Sequence, residues 1–134
     1  MEKNNFIFVT TDPLGRRVSL KADTWVNHIK EKHGEDISIP ELIKSNIEQP
    51  RYIIQNVKPE YDGSDVLIVD PNRQDYYDLI PGDERFYILK TIVEFSNENE
   101  NVGTIVTTYL LRRANEIKTT GGIVYDGKQN KSSK

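Results

Sequence analysis

The sequence predicts an α+β fold in which short helices pack on an antiparallel sheet. Two observations carry that expectation. Short apolar runs of alternating pattern, separated by Pro, Gly and Asp-rich turns, recur from Phe6 to Leu111. Between the first pair of runs and the rest lie two segments whose apolar residues repeat at helical spacing. The length of 134 residues suits a single core, and 36% apolar with 29% charged residues is the balance of a folded chain. We place one domain over residues 1–126 and expect the polar tail 127–134 to be disordered.

Phe6-Ile7-Phe8-Val9-Thr10 reads as a strand. Asp12-Pro13-Leu14-Gly15 is a turn, and Arg16 to Leu20 returns as a second strand of a hairpin. Asp23 or Thr24 then caps a helix that Gly34 ends. Trp25, Val26 and Ile29 share one face of it, His33 falls within the same arc, and His28 lies on its flank. Ser38-Ile39-Pro40-Glu41 has the form of a capping box and opens a second helix. Leu42, Ile43 and Ile47 are its apolar side, and Pro50 stops it. Strands follow at Tyr52–Val57, Val66–Val69, Gln74–Leu79, Arg85–Phe95 and Gly103–Leu111. Their short connections imply an antiparallel meander.

Composition excludes several function classes. There is no cysteine, hence no disulfide framework, no thiolate metal site and no cysteine nucleophile. Met1–Asn5 lacks the regions of a signal peptide and no apolar run approaches spanning length, so a cytoplasmic protein that does not engage membranes is expected. The net charge is −3 but unevenly spread: residues 1–33 carry +2, residues 34–100 carry −9 and residues 103–134 carry +4. The ends can form a positive surface for an anionic ligand, and the acidic middle can be a docking face for a basic partner.

The two histidines, His28 and His33, are five residues apart and therefore about 140° apart on a helix, so the i,i+4 pairing of a metal helix is absent. No glycine-rich phosphate loop is present, since Gly121-Gly122 lacks the Lys-Ser/Thr of a P-loop. No metal or other cofactor is expected. What remains is acid–base chemistry with histidine. His33, in the last turn of its helix, gains from the negative end of the dipole and is the better proton-transfer candidate, with His28 assisting. Either residue can equally serve as a helix cap or bond a backbone carbonyl. Lys90 lies in the apolar strand Tyr87–Val93, on the face of Phe86, Ile88 and Ile92, where a cation is costly unless it is paired or has a task. Thr107 and Tyr109 share a face of the last strand, but whether it is the face of Lys90 depends on register. Arg73 ahead of Tyr76-Tyr77 can hold a phosphate while an aromatic ring stacks a base. Arg112-Arg113 suit backbone phosphates.

In combination these pieces resemble a known family. Val18-Ser19-Leu20 runs into Thr24-Trp25-x-x-His28-Ile29-x-x-x-His33. Gln49-Pro50-x-x-Ile53 follows, then Arg73-x-x-Tyr76-Tyr77, Tyr87-x-Leu89-Lys90-x-Ile92-Val93 and Gly103-x-Ile105-Val106-Thr107-Thr108-Tyr109. Over roughly residues 16 to 110 the chain resembles the phage- and plasmid-associated branch of the barnase–EndoU–colicin–RelE nuclease superfamily. It departs at Gly34, where proline is expected, and at Thr108, where a small alanine is more usual. The resemblance implies N-terminal helices packed on a four- or five-stranded antiparallel sheet. It also implies a metal-independent ribonuclease of toxin type, with RNA as substrate and an antitoxin or immunity protein as partner. Carried over by position, His33, His28, Lys90, Thr107 and Tyr109 are the catalytic set and Arg73 contacts the nucleic acid; Tyr77 and Arg112, read from their own surroundings in the sequence, are expected to contact it too. The same residues also fit a non-catalytic binding or accessory protein of a mobile element that keeps the fold.

Overall fold

The structure, a computed structural model, describes residues 5–26, 40–59, 67–81, 86–111, 117 and 119–127. The chain opens with β1 (Phe6–Thr11) and β2 (Arg17–Lys21), continues through α1 (Ala22–Thr24) and α2 (Pro40–Glu48), and then forms β3 (Tyr52–Pro59), β4 (Leu67–Pro81), β5 (Phe86–Phe95), β6 (Val102–Leu111) and β7 (Ile123–Asp126). All seven strands join one sheet in the order β1-β2-β6-β5-β4-β3-β7.

This architecture corrects the expected one. The meander β3-β4-β5-β6 is antiparallel throughout, but the N-terminal hairpin adds to its β6 edge by a parallel pairing, with Val18 opposite Gly103. The sheet is therefore mixed and seven-stranded, not antiparallel with four or five strands, and the described helices are short. Burial accounts for the docked hairpin: Val18 and Leu20 alternate onto one face and are both fully buried, which a free hairpin cannot achieve. β7 is likewise absent from the sequence-based expectation. Gly121 and Gly122 make the turn into it, Gly122 at a φ of 99°. A Cβ on Gly121 would sit 2.4 Å from the Gln55 carbonyl oxygen, so the approach to β3 requires glycine there.

Two expected strands are one. β4 runs unbroken through Pro71, and the pairing with β3 jumps from Gln55–Gln74 to Val57–Val69. Pro71 falls in that irregular stretch, where its missing N–H removes no ladder bond. The first helix begins at Ala22 with Lys21 at its N-cap position and no side-chain cap, so neither Asp23 nor Thr24 plays the expected part. The rest of that expected helix, with His28, His33 and Gly34, lies outside the described residues, as do Ser38, Arg112 and the tail after Gly127. Gly127 itself is held, its N–H donating to the Arg51 carbonyl at 2.8 Å. No helix among the described residues is long and apolar enough to cross a membrane.

The main core lies between α2 and one sheet face. Pro40 opens α2, a position where a missing N–H costs nothing, and Pro50 follows its end. Ile43 and Ile47 are fully buried against Ile53, Tyr76, Leu89, Val93 and Ile105, joined by Val18, Leu20 and Trp25. Ile54, Tyr77 and Ile88 make a smaller cluster with Tyr52, Leu111 and Ile117 on the opposite face.

A buried polar knot ties the hairpin to the meander. The Asp12 side chain is fully buried, and its Oδ1 accepts the N–H groups of Leu14 at 3.0 Å and Arg16 at 2.9 Å. Its Oδ2 accepts Arg16 Nε at 2.9 Å and the Tyr76 hydroxyl at 2.5 Å. Arg16 Nη2 also donates to that hydroxyl at 3.1 Å and the guanidinium stacks 4.2 Å above the Phe95 ring centre. Burial, and the hydrogen bond to Asp12, push the Tyr76 hydroxyl pKa far up, so it stays a donor at all working pH values. Every acceptor site of the carboxylate used here has a partner, which is what makes a buried Asp tolerable. Tyr76→Phe keeps the ring and removes the hydroxyl's hydrogen bonds to Asp12 and Arg16, which join segments 60 or more residues apart in sequence. It is expected to lower stability by about 2 kcal/mol, measured by urea unfolding; a change near zero contradicts the assigned role of the knot.

Candidate functional site

The face opposite α2 carries the chemistry, and register assembles it. Lys90 of β5 stands directly opposite Tyr77 of β4 and Tyr109 of β6, while Ile92 stands opposite Asp75 and Thr107. Cross-strand partners lie on the same side of a sheet. Lys90, Tyr77, Tyr109, Thr107 and Asp75 therefore share one face across three strands, and Arg73, opposite Glu94, continues it along β4. The register left open by the sequence thus joins Lys90 to Thr107 and Tyr109.

Lys90 and Asp75 form the centre. Lys90 Nζ lies 3.8 Å from Asp75 Oδ2, with the two side chains only 13% and 2% exposed. The ammonium lies 5.9 Å from the Tyr77 ring centre and 5.5 Å from that of Tyr109. Both rings lie within the range of cation–π attraction. Asp75 is further held by Asn56, whose Nδ2 donates to Oδ1 at 2.8 Å, and more loosely by the Tyr77 hydroxyl at 3.4 Å. Burial pushes the Asp75 pKa above its ordinary value; Lys90 and the donors of Asn56 and Tyr77 oppose that rise without cancelling it.

The strand segment that presents Lys90 is pinned from behind. Asn46 of α2, almost wholly buried, donates through Nδ2 to the Tyr76 carbonyl at 3.0 Å and to Thr91 Oγ1 at 3.1 Å. The Thr91 and Thr108 hydroxyls are 2.9 Å apart, and Thr108 Oγ1 donates to the Lys90 carbonyl at 2.9 Å. A hydroxyl at position 108 is thus part of a hydrogen-bonded chain running from α2, through the core, to the backbone of Lys90. An alanine there would leave the Thr91 hydroxyl and the Lys90 carbonyl without this partner.

Beyond the Lys90 centre, Arg73 pairs through Nε with Glu94 at 2.9 Å and lies 4.0 Å from Asp70. Asn56, Lys58, Asp70, Asn72, Arg73 and Glu94 line a cleft of about 510 Å³. Of the residues expected from sequence, the structure thus gathers Lys90, Thr107, Tyr109, Tyr77 and Arg73 on one face. His28, His33 and Arg112 are outside the described residues. Asp75 and Asn56 escaped sequence reasoning. Strand alternation alone puts Asp75 beside Tyr77, and an acid flanked by strand aromatics was the available signal.

No protein-family model matches the chain, and no curated protein or solved structure matches it either.

The raised pKa of Asp75 has a consequence for stability. A carboxyl whose folded pKa exceeds its ordinary value of 3.8 destabilises the fold when ionised, and that cost disappears as pH falls through the raised pKa toward 3.8. Asp75→Asn removes the titration. The unfolding free energy of the wild type minus that of the variant is therefore expected to rise as pH is lowered from neutral toward 4, read from urea unfolding at a series of pH values. A difference that falls with decreasing pH contradicts the assignment.

Proposed function

We propose that the chain is a metal-independent ribonuclease of toxin type, and that the Lys90 face is where RNA is cleaved. The observation that carries this reading is the register that sets a partly buried, carboxylate-held ammonium between the rings of Tyr77 and Tyr109, with Thr107 at the next pair on that face. A cation and two kinds of hydroxyl fixed on a rigid sheet suit a phosphate that gains negative charge during reaction.

In the reaction, a ribose 2′-hydroxyl attacks the adjacent phosphorus and the bond to the 5′-oxygen breaks. The products are a 2′,3′-cyclic phosphate and a free 5′-hydroxyl. Lys90 stabilises the charge that builds on the non-bridging oxygens, and the Tyr109 and Thr107 hydroxyls donate to the same oxygens or orient the ribose. His33, with His28 assisting, takes the proton from the 2′-hydroxyl and returns one to the leaving oxygen. Those histidine roles come from the sequence: the helix-end position of His33 and the match to the family's paired histidines. Asp75, 3.8 Å from the Lys90 ammonium, holds it in position. Selectivity for RNA over DNA follows from the need for the 2′-hydroxyl. A toxin of this kind needs a neutralising partner, for which the acidic middle of the chain suits a basic antitoxin or immunity protein.

Purified protein in excess EDTA is expected to cleave a mixed-sequence RNA, leave 2′,3′-cyclic phosphate ends and spare the matching DNA. Lys90→Met, which keeps the stem and removes the charge, is expected to lower the single-turnover rate about 100-fold while still folding by circular dichroism. Absence of cleavage by the wild type, or a folded Lys90→Met variant as fast as the wild type, overturns the assignment.

A further inference from the structure

The cleft beside Arg73 contains an incomplete set of contacts. Both ion pairs of Arg73 are made through Nε: 2.9 Å to Glu94 Oε1 and 4.0 Å to Asp70 Oδ2. No described residue accepts a hydrogen bond from its Nη1 or Nη2, the fork that matches a phosphate in two-point fashion. Lys58 Nζ stands 3.8 Å from Asp70 Oδ2, too far for a hydrogen bond. Two cations and two carboxylates thus line the cleft of about 510 Å³, together with the amides of Asn56 and Asn72. The Arg73–Glu94 pair is solvent-accessible, 39% and 49% exposed, and pairs of that kind are weak. Arg73 lies four residues along β4 from Tyr77, the partner of Lys90, which is ~13 Å of strand. That separation is longer than one phosphodiester linkage spans. Asn56 joins the two places, lining the cleft while donating to Asp75.

We propose that this cleft is a second phosphate subsite for single-stranded RNA, in which Arg73 and Lys58 bind a backbone phosphate remote from the cleaved one and Glu94 occupies Arg73 until RNA displaces it. The proposal rests on the ribonuclease reading for its ligand, and it adds the direction of the strand, along β4 from Lys90 toward Pro71. It also makes productive binding depend on RNA length: a dinucleotide reaches the Lys90 centre but not the cleft.

Binding of fully 2′-O-methylated oligouridylates, which lack the attacking hydroxyl, separates this from cleavage. Fluorescence anisotropy on the full chain compares a hexanucleotide with a dinucleotide across a salt series. Glu94→Gln is expected to tighten hexanucleotide binding about three-fold and leave the dinucleotide unchanged. Arg73→Gln is expected to weaken the hexanucleotide and to reduce the slope of log affinity against log salt by about 0.7. A gain of affinity in Glu94→Gln cannot arise from misfolding. Hexanucleotide affinities that ignore both substitutions, effects equal for the two lengths, or no binding of the hexanucleotide overturn the subsite. If the substitutions act as expected but unmodified RNA is never cleaved, the subsite stands and the ribonuclease reading falls. If RNA is cleaved but the substitutions change neither affinity nor slope, the subsite falls and the ribonuclease reading stands.

Discussion

An ammonium group held away from water on a sheet face must be neutralised where it stands, and the pairing of Lys90 with Asp75 at 3.8 Å meets that requirement. The rest of the candidate site follows from this constraint. Asp75 is reachable from Lys90 only in the register that sets Lys90 opposite Tyr77, and the same register brings Tyr109 to the other side of the ammonium. Asn56 completes the carboxylate and extends the arrangement to β3. Removing either charge would leave the other buried without its partner, so the pair acts as a unit that fixes three adjacent strands relative to one another.

The two faces of the sheet do different work. One is apolar and covered by α2, with the buried Asn46–Thr91–Thr108 chain as its polar seam. The other carries the charged groups. The seam links them, because Thr108 donates to the carbonyl of the residue whose side chain points the opposite way. The Asp12–Arg16–Tyr76 knot performs a similar service at the hairpin, holding β1 and β2 to the meander through a buried carboxylate with a full set of donors. Helix, hairpin and meander are thus each tied to the sheet by side chains that are costly to strand in the interior.

Local signals in the sequence were sufficient for the hairpin, the α2 face with Ile43 and Ile47, and the β5–β6 pair around the Ser96–Asn101 turn, since each depends on neighbours a few residues apart. The parallel docking of β2 on β6 was not legible, because it joins segments more than 80 residues apart and leaves no periodic trace. β7 was hidden by a Gly-Gly turn that reads equally well as a loop. At the site, Lys90 stood out as a cation in an apolar strand, but its carboxylate did not: Asp75 sits in a polar-aromatic stretch, and only cross-strand register joins the two. The sheet implied by the resemblance to the nuclease superfamily differs from the mixed seven-stranded one found, because the parallel hairpin and β7 add strands that its motifs do not encode.

Under the proposed function, the Lys90 face rather than the α2 side of the molecule receives RNA. The most direct measurement is the set of amide shifts in a two-dimensional nitrogen–proton NMR spectrum of the labelled full chain as a 2′-O-methylated RNA oligonucleotide is added. The largest changes, saturating together, are expected at Asp75, Tyr77, Lys90, Thr107 and Tyr109. Changes confined to α2 and β1, or a spectrum that RNA leaves unaltered, would contradict that expectation.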